Sequence, residues 1–326
     1  MKKIKKARKA IRVWIAKLEQ IGFDKKDWIA ILFDIIYCKL KYRVTANEYF
    51  MYRYYNYKDR YRKNFLVEHH VRSKFWKLNG HKTAVSKYRF YRMIPEHFSR
   101  EMILAPACGE EAFVAFAKKH GKLALKPDTG TYGYGFRIYQ YTDDEQARKV
   151  FSSLNVETAC EEFICQHEKM SALNPDSVNT IRILSLLTDD QVSVISATLR
   201  TGAVSGVNVD NLRQNGIGAQ VDIATGTVST HGYDFKDHMY TNHPITGTQF
   251  LGFQIPHWDQ AIALIREAHK KLPLCRLLGW DIAITPTGVD IVEANDAPGT
   301  KITQFGDAIP KGEEVLRAVR AVEKKK

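Results

Sequence analysis

The chain has 326 residues, with 49 Lys+Arg against 36 Asp+Glu, a formal charge of +13, and 44% apolar and 11% aromatic residues. This is the composition of a folded protein of roughly two or three structural units with a sizeable core, and it excludes a low-complexity or disordered chain. Five scattered cysteines (Cys38, Cys108, Cys160, Cys165, Cys275), with no CxxC pair and no secretion signal, argue against a disulfide scaffold or a zinc site and for reduced thiols in a cytoplasm.

The basicity belongs to the N-terminal third: residues 1–100 hold 26 Lys+Arg and 8 Asp+Glu, the rest 23 and 28. The opening MKKIKKARKAIRVWIAKLEQIGF spaces Ile4, Ala7, Ile11, Trp14, Ile15 and Leu18 at helical intervals among lysines. It reads as a basic amphipathic helix, either in contact with an anionic membrane surface or acidic partner or docked as an ordinary surface helix. WIAILFDIIYC, residues 28–38, is too short to span a bilayer, carries Asp34, and is expected to be a buried helix. EYFMYRYYNYKDRYRKNF, residues 48–65, interleaves aromatics with basic residues. No nucleic-acid-binding signature accompanies it, so a helical cap packed through its tyrosines is expected and nucleic acid is not.

GKLALKPDTGTYGYGFRIYQY, residues 121–141, reads as a strand ending on Lys126, a turn with Gly130, Gly133 and Gly135, and a second strand. Glycines let backbone N–H groups approach an anion, and a strand after them makes the loop a hairpin flap over phosphates rather than a Walker loop. A capping box from Thr142 to Glu145 opens a helix, and the strand in ACEEFICQ leads into a hinge at 161–164, a usual place for an adenine.

NPDSVNTIRILSLL places Asn179 and Arg182 at the start of a strand, and Arg offers a permanently charged fork for phosphate or carboxylate. The Gly-rich stretch that follows, with Asp210, Asn211 and Arg213, is expected to shape a substrate pocket. Last comes GWDIAITPTGVDIVEANDAPG, residues 279–299. If Asp281–Thr285 and Val289–Glu293 pair across TPTG, Asp281 and Glu293 become neighbours and repel. With Asn295 they form a set of hard oxygen donors suited to magnesium; a solvated hairpin end with a charge at each corner is the other reading.

The order of these parts resembles the ATP-grasp superfamily. The wording EEFICQH, NPDSVNTIRI, HPITGTQFLGFQIPHW and GWDIAITPTG is similar to the sugar-transfer-associated ATP-grasp family of polysaccharide biosynthesis, from about Lys87 to Pro298. The resemblance implies an α+β fold of two lobes clasping ATP, with the basic, mainly helical region at 1–80, a small lobe at 81–165 and a large lobe at 166–326. It implies ATP phosphates on Lys87, Lys126 and the glycines, adenine framed by Glu162, Phe163 and Ile164, and ribose on Glu168. Mg2+ or Mn2+ would be held by Asp281, Glu293 and Asn295. Arg182 would stabilise the transferred phosphate, helped by Lys301, and Asn179, Asp210, Asn211 and Arg213 would face substrate. The flap DTGTYGYG lacks the basic residue many relatives carry there, which leaves phosphate neutralisation to backbone, metal and Lys126.

The implied reaction is ATP-dependent joining of a carboxylate, on a sugar acid, glycan precursor or amino acid, to an amine through an acyl phosphate. Transfer of phosphate to a hydroxyl or amide acceptor is the alternative. For that reaction Asp210, His231 and His243 are the candidate bases.

Overall fold

TIRILSLLT and LLGWDIAIT are rich in branched and aromatic apolar residues, alternating from Leu278 to Ile284 in the second and interrupted by Ser185 in the first, the pattern of strands that bury one face. The computed structural model, which describes residues 2–79, 86–130, 134–189, 191–204 and 216–324, realises both as central strands. Six helices come first: α1 (Lys2–Ile21), α2 (Trp28–Tyr42), α3 (Ala46–Met51), α4 (Asp59–Arg62), α5 (Glu68–Leu78) and α6 (Lys87–Met93). A small lobe follows, with β1 (Met102–Ala105), α7 (Glu110–His120), β2 (Lys122–Pro127), β3 (Arg137–Gln140), α8 (Asp144–Ser152) and β4 (Thr158–Glu162). Its antiparallel sheet has the order β1-β4-β2-β3.

The large lobe holds α9 (Glu168–Ser171), β5 (Thr180–Thr188), β6 (Gln191–Thr201), β7 (Ile217–Val221), β8 (Gly232–Tyr233), β9 (Met239–Tyr240), α10 (Trp258–Lys270), β10 (Leu277–Thr285), β11 (Gly288–Asn295) and α11 (Glu313–Lys324). Its sheet runs β11-β10-β5-β6-β7-β8-β9. One face of this sheet sets Ile181, Ile183, Trp280, Ile282 and Ile284 against Trp258, Ile262 and Ile265 of α10. The other face is divided. Leu184, Leu186 and Leu277 pack under Val71, Phe75 and Leu78 of α5 and Val315 and Val319 of α11, while Arg182 and Asp281, in register with each other, open onto a cleft.

The N-terminal helices share the large lobe's interior. Tyr49, Tyr52, Tyr54 and Phe65 form one cluster with Tyr233, Ile302 and Phe305. The Gln304 amide brackets Leu66, accepting from its N–H at 2.8 Å and donating to its carbonyl at 3.2 Å. Asn79 accepts from Leu277 N (2.8 Å) and donates to the carbonyls of Leu277 (2.8 Å) and Asp296 (2.7 Å). The segment expected to open the small lobe also belongs here, since Phe90 and Ile94 pack into the core with Trp280.

Two expectations shift. The cap of α8 is Asp143, whose carboxylate accepts from Gln146 N at 2.8 Å, one residue later than the Thr142 box. In α2 only Ile31, Ile35 and Cys38 are buried, while Ile29, Phe33, Ile36 and Leu40 are exposed, so it is not the buried helix its composition suggests. Among the described residues no helix is long and apolar enough to cross a membrane.

Beneath the sheet runs a closed polar chain. Trp280 Nε1 donates to Ser185 Oγ (2.8 Å), which meets His269 Nδ1 (2.7 Å), and His269 Nε2 lies 2.7 Å from the Cys275 carbonyl. That carbonyl requires a proton on Nε2, so Nδ1 accepts from the hydroxyl and the ring is neutral. Burial pushes His269 down from 6.5 to about 4. A depressed histidine contributes stability that is present above its unfolded value and lost as pH falls toward the folded one. Urea unfolding should therefore show the parent losing about 2 kcal/mol more than His269→Asn between pH 7 and pH 5.

Candidate active site

β10 and β11 pair so that Gly279 faces Asn295, Trp280 faces Ala294 and Asp281 faces Glu293. The next pair is Ile282 with Ile291, which leaves Val292 as an extra residue in β11. This bulge keeps Glu293 and Asn295 on the cleft face beside Asp281. The backbone there is tight, and a Cβ on Gly279 would stand 2.6 Å from Pro298 Cβ.

Two arginines meet Asp281. Arg182 Nε and Nη2 reach its two carboxylate oxygens at 2.5 and 2.8 Å, and Arg200 Nη1 reaches Oδ1 at 2.8 Å. Burial pushes this carboxyl up, but the two guanidinium charges outweigh it and hold Asp281 well below the usual carboxylate range. Glu293 is half-buried and accepts from the Asn295 amide at 3.2 Å. Burial first, and then the Asp281 charge, push its carboxyl above the ordinary range.

A second charge cluster lies across the cleft. Lys126, at the end of β2, donates to Glu161 Oε2 at 2.8 Å, and Arg100 Nη2 donates to the same oxygen at 2.8 Å. Arg100 also reaches into β11, to Asp290 Oδ2 and the Ile291 carbonyl, both at 2.6 Å. Burial would raise Glu161, but the charges of Lys126 and Arg100 prevail and lower it. Lys87 Nζ donates to the carbonyls of Pro127 (2.9 Å), Gly130 (3.3 Å) and Asp128 (3.4 Å), and burial depresses it. Both clusters border a cleft of about 760 Å³ whose apolar lining includes Met102, Ala124, Phe163 and Val292.

Residues 109–324 match the family described as sugar-transfer associated ATP-grasp. The chain belongs to that family. No curated protein matches the sequence. Among solved structures, the ATP-grasp ligase PsnB complexed with minimal precursor aligns at 14% identity and TM-score 0.44, over 73% of this chain and 60% of that one. D-alanyl-alanine synthetase A from Vibrio cholerae aligns at 10% and 0.44, over 74% of this chain and 66% of that one. D-cycloserine synthetase DcsG aligns at 13% and 0.44, over 74% and 71%. This chain thus spans about three fifths of the length of PsnB, the first of these.

In this ATP-grasp chain the cleft gathers Lys87, Lys126, Gly130, Glu162, Phe163, Ile164, Arg182, Asp281, Glu293, Asn295 and Lys301. Lys301 lies 3.8 Å from Glu68 of α5. Gly135 has φ +77°, and a Cβ there would meet Pro127 Cγ at 2.7 Å, so the turn requires glycine. Gly133, Asp210, Asn211 and Arg213 lie outside the described residues.

Two expected site residues fall elsewhere. Asn179 is fully buried and spends its amide on the carbonyls of Met170 and Asn174 (both 2.8 Å) and on Gln166 (3.0 Å); it ties a loop together and does not line the cleft. Glu168 is exposed in α9, also outside the lining. In turn, Arg200 and Arg100 were not expected at the site, and Glu161 was expected only as the start of the hinge. The alternation of Ser196, Thr198 and Arg200 against Ala197 and Leu199 marks a polar face on β6 and is the signal that would have found Arg200.

The donor set at the hairpin fits a magnesium ion: all its ligands would be oxygen, two from carboxylates facing across the strands, and Asn295 keeps its carbonyl oxygen while its amide nitrogen serves Glu293. Without a cation, Glu293 has a raised folded pKa, so its ionised form weakens the fold at neutral pH and the penalty disappears on acidification. Glu293→Gln should accordingly stabilise the metal-free protein at pH 7, by on the order of 0.5–1 kcal/mol as for a relieved cross-strand repulsion, in thermal or urea unfolding with chelator.

Proposed function

We propose that this protein is an ATP-dependent carboxylate–amine ligase working through an acyl phosphate. The observation that carries the reading is the pair of guanidinium forks, Arg182 and Arg200, gathered by Asp281 beside Glu293 in a cleft that also holds Lys126. Arginine forks match a carboxylate or phosphoryl group in shape and charge. Mg2+ (or Mn2+) on Asp281, Glu293 and Asn295 would neutralise charge on the phosphates when bound.

The purine would lie against Met102, Ala124, Phe163 and Val292, next to the hinge residues Glu162 and Ile164. Lys126 and the turn at Gly130 and Gly135 would meet the phosphates. Lys87 already braces that turn through three carbonyls, so its part is to hold the loop's shape as much as to touch ATP. A substrate carboxylate oxygen attacks the γ-phosphorus, the bond to ADP breaks, and the amine then displaces phosphate from the acyl carbon, leaving an amide. Arg182 and Arg200 would spread the charge of the group in transfer, and Lys301 stands beside them.

A phosphotransferase would want a base for a hydroxyl acceptor. His243 is unsuited to that role: it is buried, its Nε2 lies 2.8 Å from the Gly202 carbonyl, and burial lowers it. Neither it nor His231 lines the cleft. We take the acid to be a sugar acid, glycan precursor or amino acid serving polysaccharide synthesis, in line with the family description. The five unpaired cysteines agree with a cytoplasmic setting.

Hydroxylamine supplied in place of the amine, with the acid substrate and ATP, should yield a hydroxamate in step with ADP. A stable phosphate ester without hydroxamate would assign the protein to phosphotransfer. Lys126→Ala should weaken ATP binding by roughly tenfold or more in calorimetry, the loss expected for a charge-assisted contact. Its melting temperature should stay near the parent's, since Arg100 still satisfies Glu161.

A further inference from the structure

α2 is apolar over most of its circumference, interrupted by Asp34, Lys39 and Lys41, and the apolar faces of such a helix are normally enclosed. Here Ile31, Ile35 and Cys38 are buried against the tyrosine cluster, while Ile29, Phe33, Ile36 and Leu40 stand 68, 69, 45 and 78% exposed. The spacing i, i+4, i+7, i+11 places these four on one stripe about 60° wide and ~16 Å long. Isolated exposed apolar residues need no explanation, but a continuous helical stripe opposite a buried one marks an interaction face.

The surroundings select the occupant. Lys39 and Lys41 flank the stripe on the same helix, and Lys25 and Lys26 lead into it. α1 packs beside α2 and exposes Lys5, Arg8, Lys9 and Arg12. Acidic groups are few and engaged: Asp24 pairs with Lys26 (2.9 Å), Asp59 with Lys41 (2.5 Å), and Asp34 turns inward to Arg62 (2.7 Å). Asp27, in the turn before α2, and Glu19, exposed on α1, are the remaining acids of the two helices among the described residues. An apolar stripe bordered by lysines, on a region with 26 basic against 8 acidic residues, complements an anionic lipid surface.

We propose that α2 inserts its Ile29–Phe33–Ile36–Leu40 stripe into the interfacial layer of an anionic membrane, with α1 and the flanking lysines against the headgroups. The protein lies on the bilayer and does not span it. This reading is independent of the ligase chemistry, because none of these residues lines the cleft.

The test is co-sedimentation of the full chain with vesicles of phosphatidylcholine alone and with 30 mol% phosphatidylserine (a composition of about the anionic content that supports such binding). Binding is expected only to the anionic vesicles and should weaken with added salt. Phe33→Glu and Leu40→Glu should each lower the partition coefficient roughly tenfold or more, with ATP turnover and melting temperature unchanged. Three results overturn the proposal: no binding to anionic vesicles, binding unaffected by either substitution, or a dimer in light scattering that both substitutions dissociate while lipid has no effect. The last would make a second copy of the chain the occupant.

Discussion

Two carboxylates held opposite each other across a strand pair repel, and much of the site follows from that one juxtaposition. The pleat puts Asp281 and Glu293 on the same face, and the extra residue at Val292 keeps them there. Asp281 is neutralised by two guanidinium groups from the next strands, Arg182 directly in register and Arg200 on β6. Glu293 has no such cation bonded to it among the described contacts and carries the raised affinity for a proton that results. One carboxylate is thus held as an anion and the other keeps a raised proton affinity, an arrangement that a divalent cation would suit.

Much of this was legible in the chain. The turn signal between two apolar runs brings the hairpin's open ends together, but a two-residue turn at Pro286–Thr287 alone would set Asp281 opposite Val292; the bulge that puts Glu293 there has no local signal. The glycine turn between β2 and β3 was equally readable, because Gly135 occupies a conformation that side chains avoid. Partners across strands were not. Arg200 and Arg100 act through residues 81 and 190 positions away, and no local spacing reports such a distance. Glu161 and Glu162 are adjacent and chemically alike, yet the pleat turns the first toward Lys126 and Arg100 and the second toward His120. Asn179 misled for a related reason: a polar residue before a strand serves a loop or a ligand with the same side chain, and only burial tells which.

The N-terminal third shows where composition reaches its limit. Helical spacing in 28–38 indicated a helix, but its all-round apolarity did not say that only half would be covered by this chain. The tyrosines at 49, 52 and 54 are interior, and the aromatic and basic stretch is a packed cap, as its helical spacing indicated, whose rings meet Phe65 and the cluster of Phe305. Through Gln304, Asn79 and the shared leucine core, that cap is built into the large lobe and forms part of the cleft wall at Glu68 and Phe75.

Arg100 links the two sheets, with Glu161 of β4 on one side and Asp290, Ile291 and Val292 of β11 on the other. Parting the lobes at that point would strip a buried guanidinium of at least one of its two carboxylates. Arg100 therefore opposes separation of the lobes there. In the order β1-β4-β2-β3 the glycine turn joins β2, which pairs with β4 beside this contact, to the edge strand β3. Lys126, at the foot of that turn, shares Glu161 Oε2 with Arg100, so the strand that carries the glycines is tied to the same buried contact that joins the lobes.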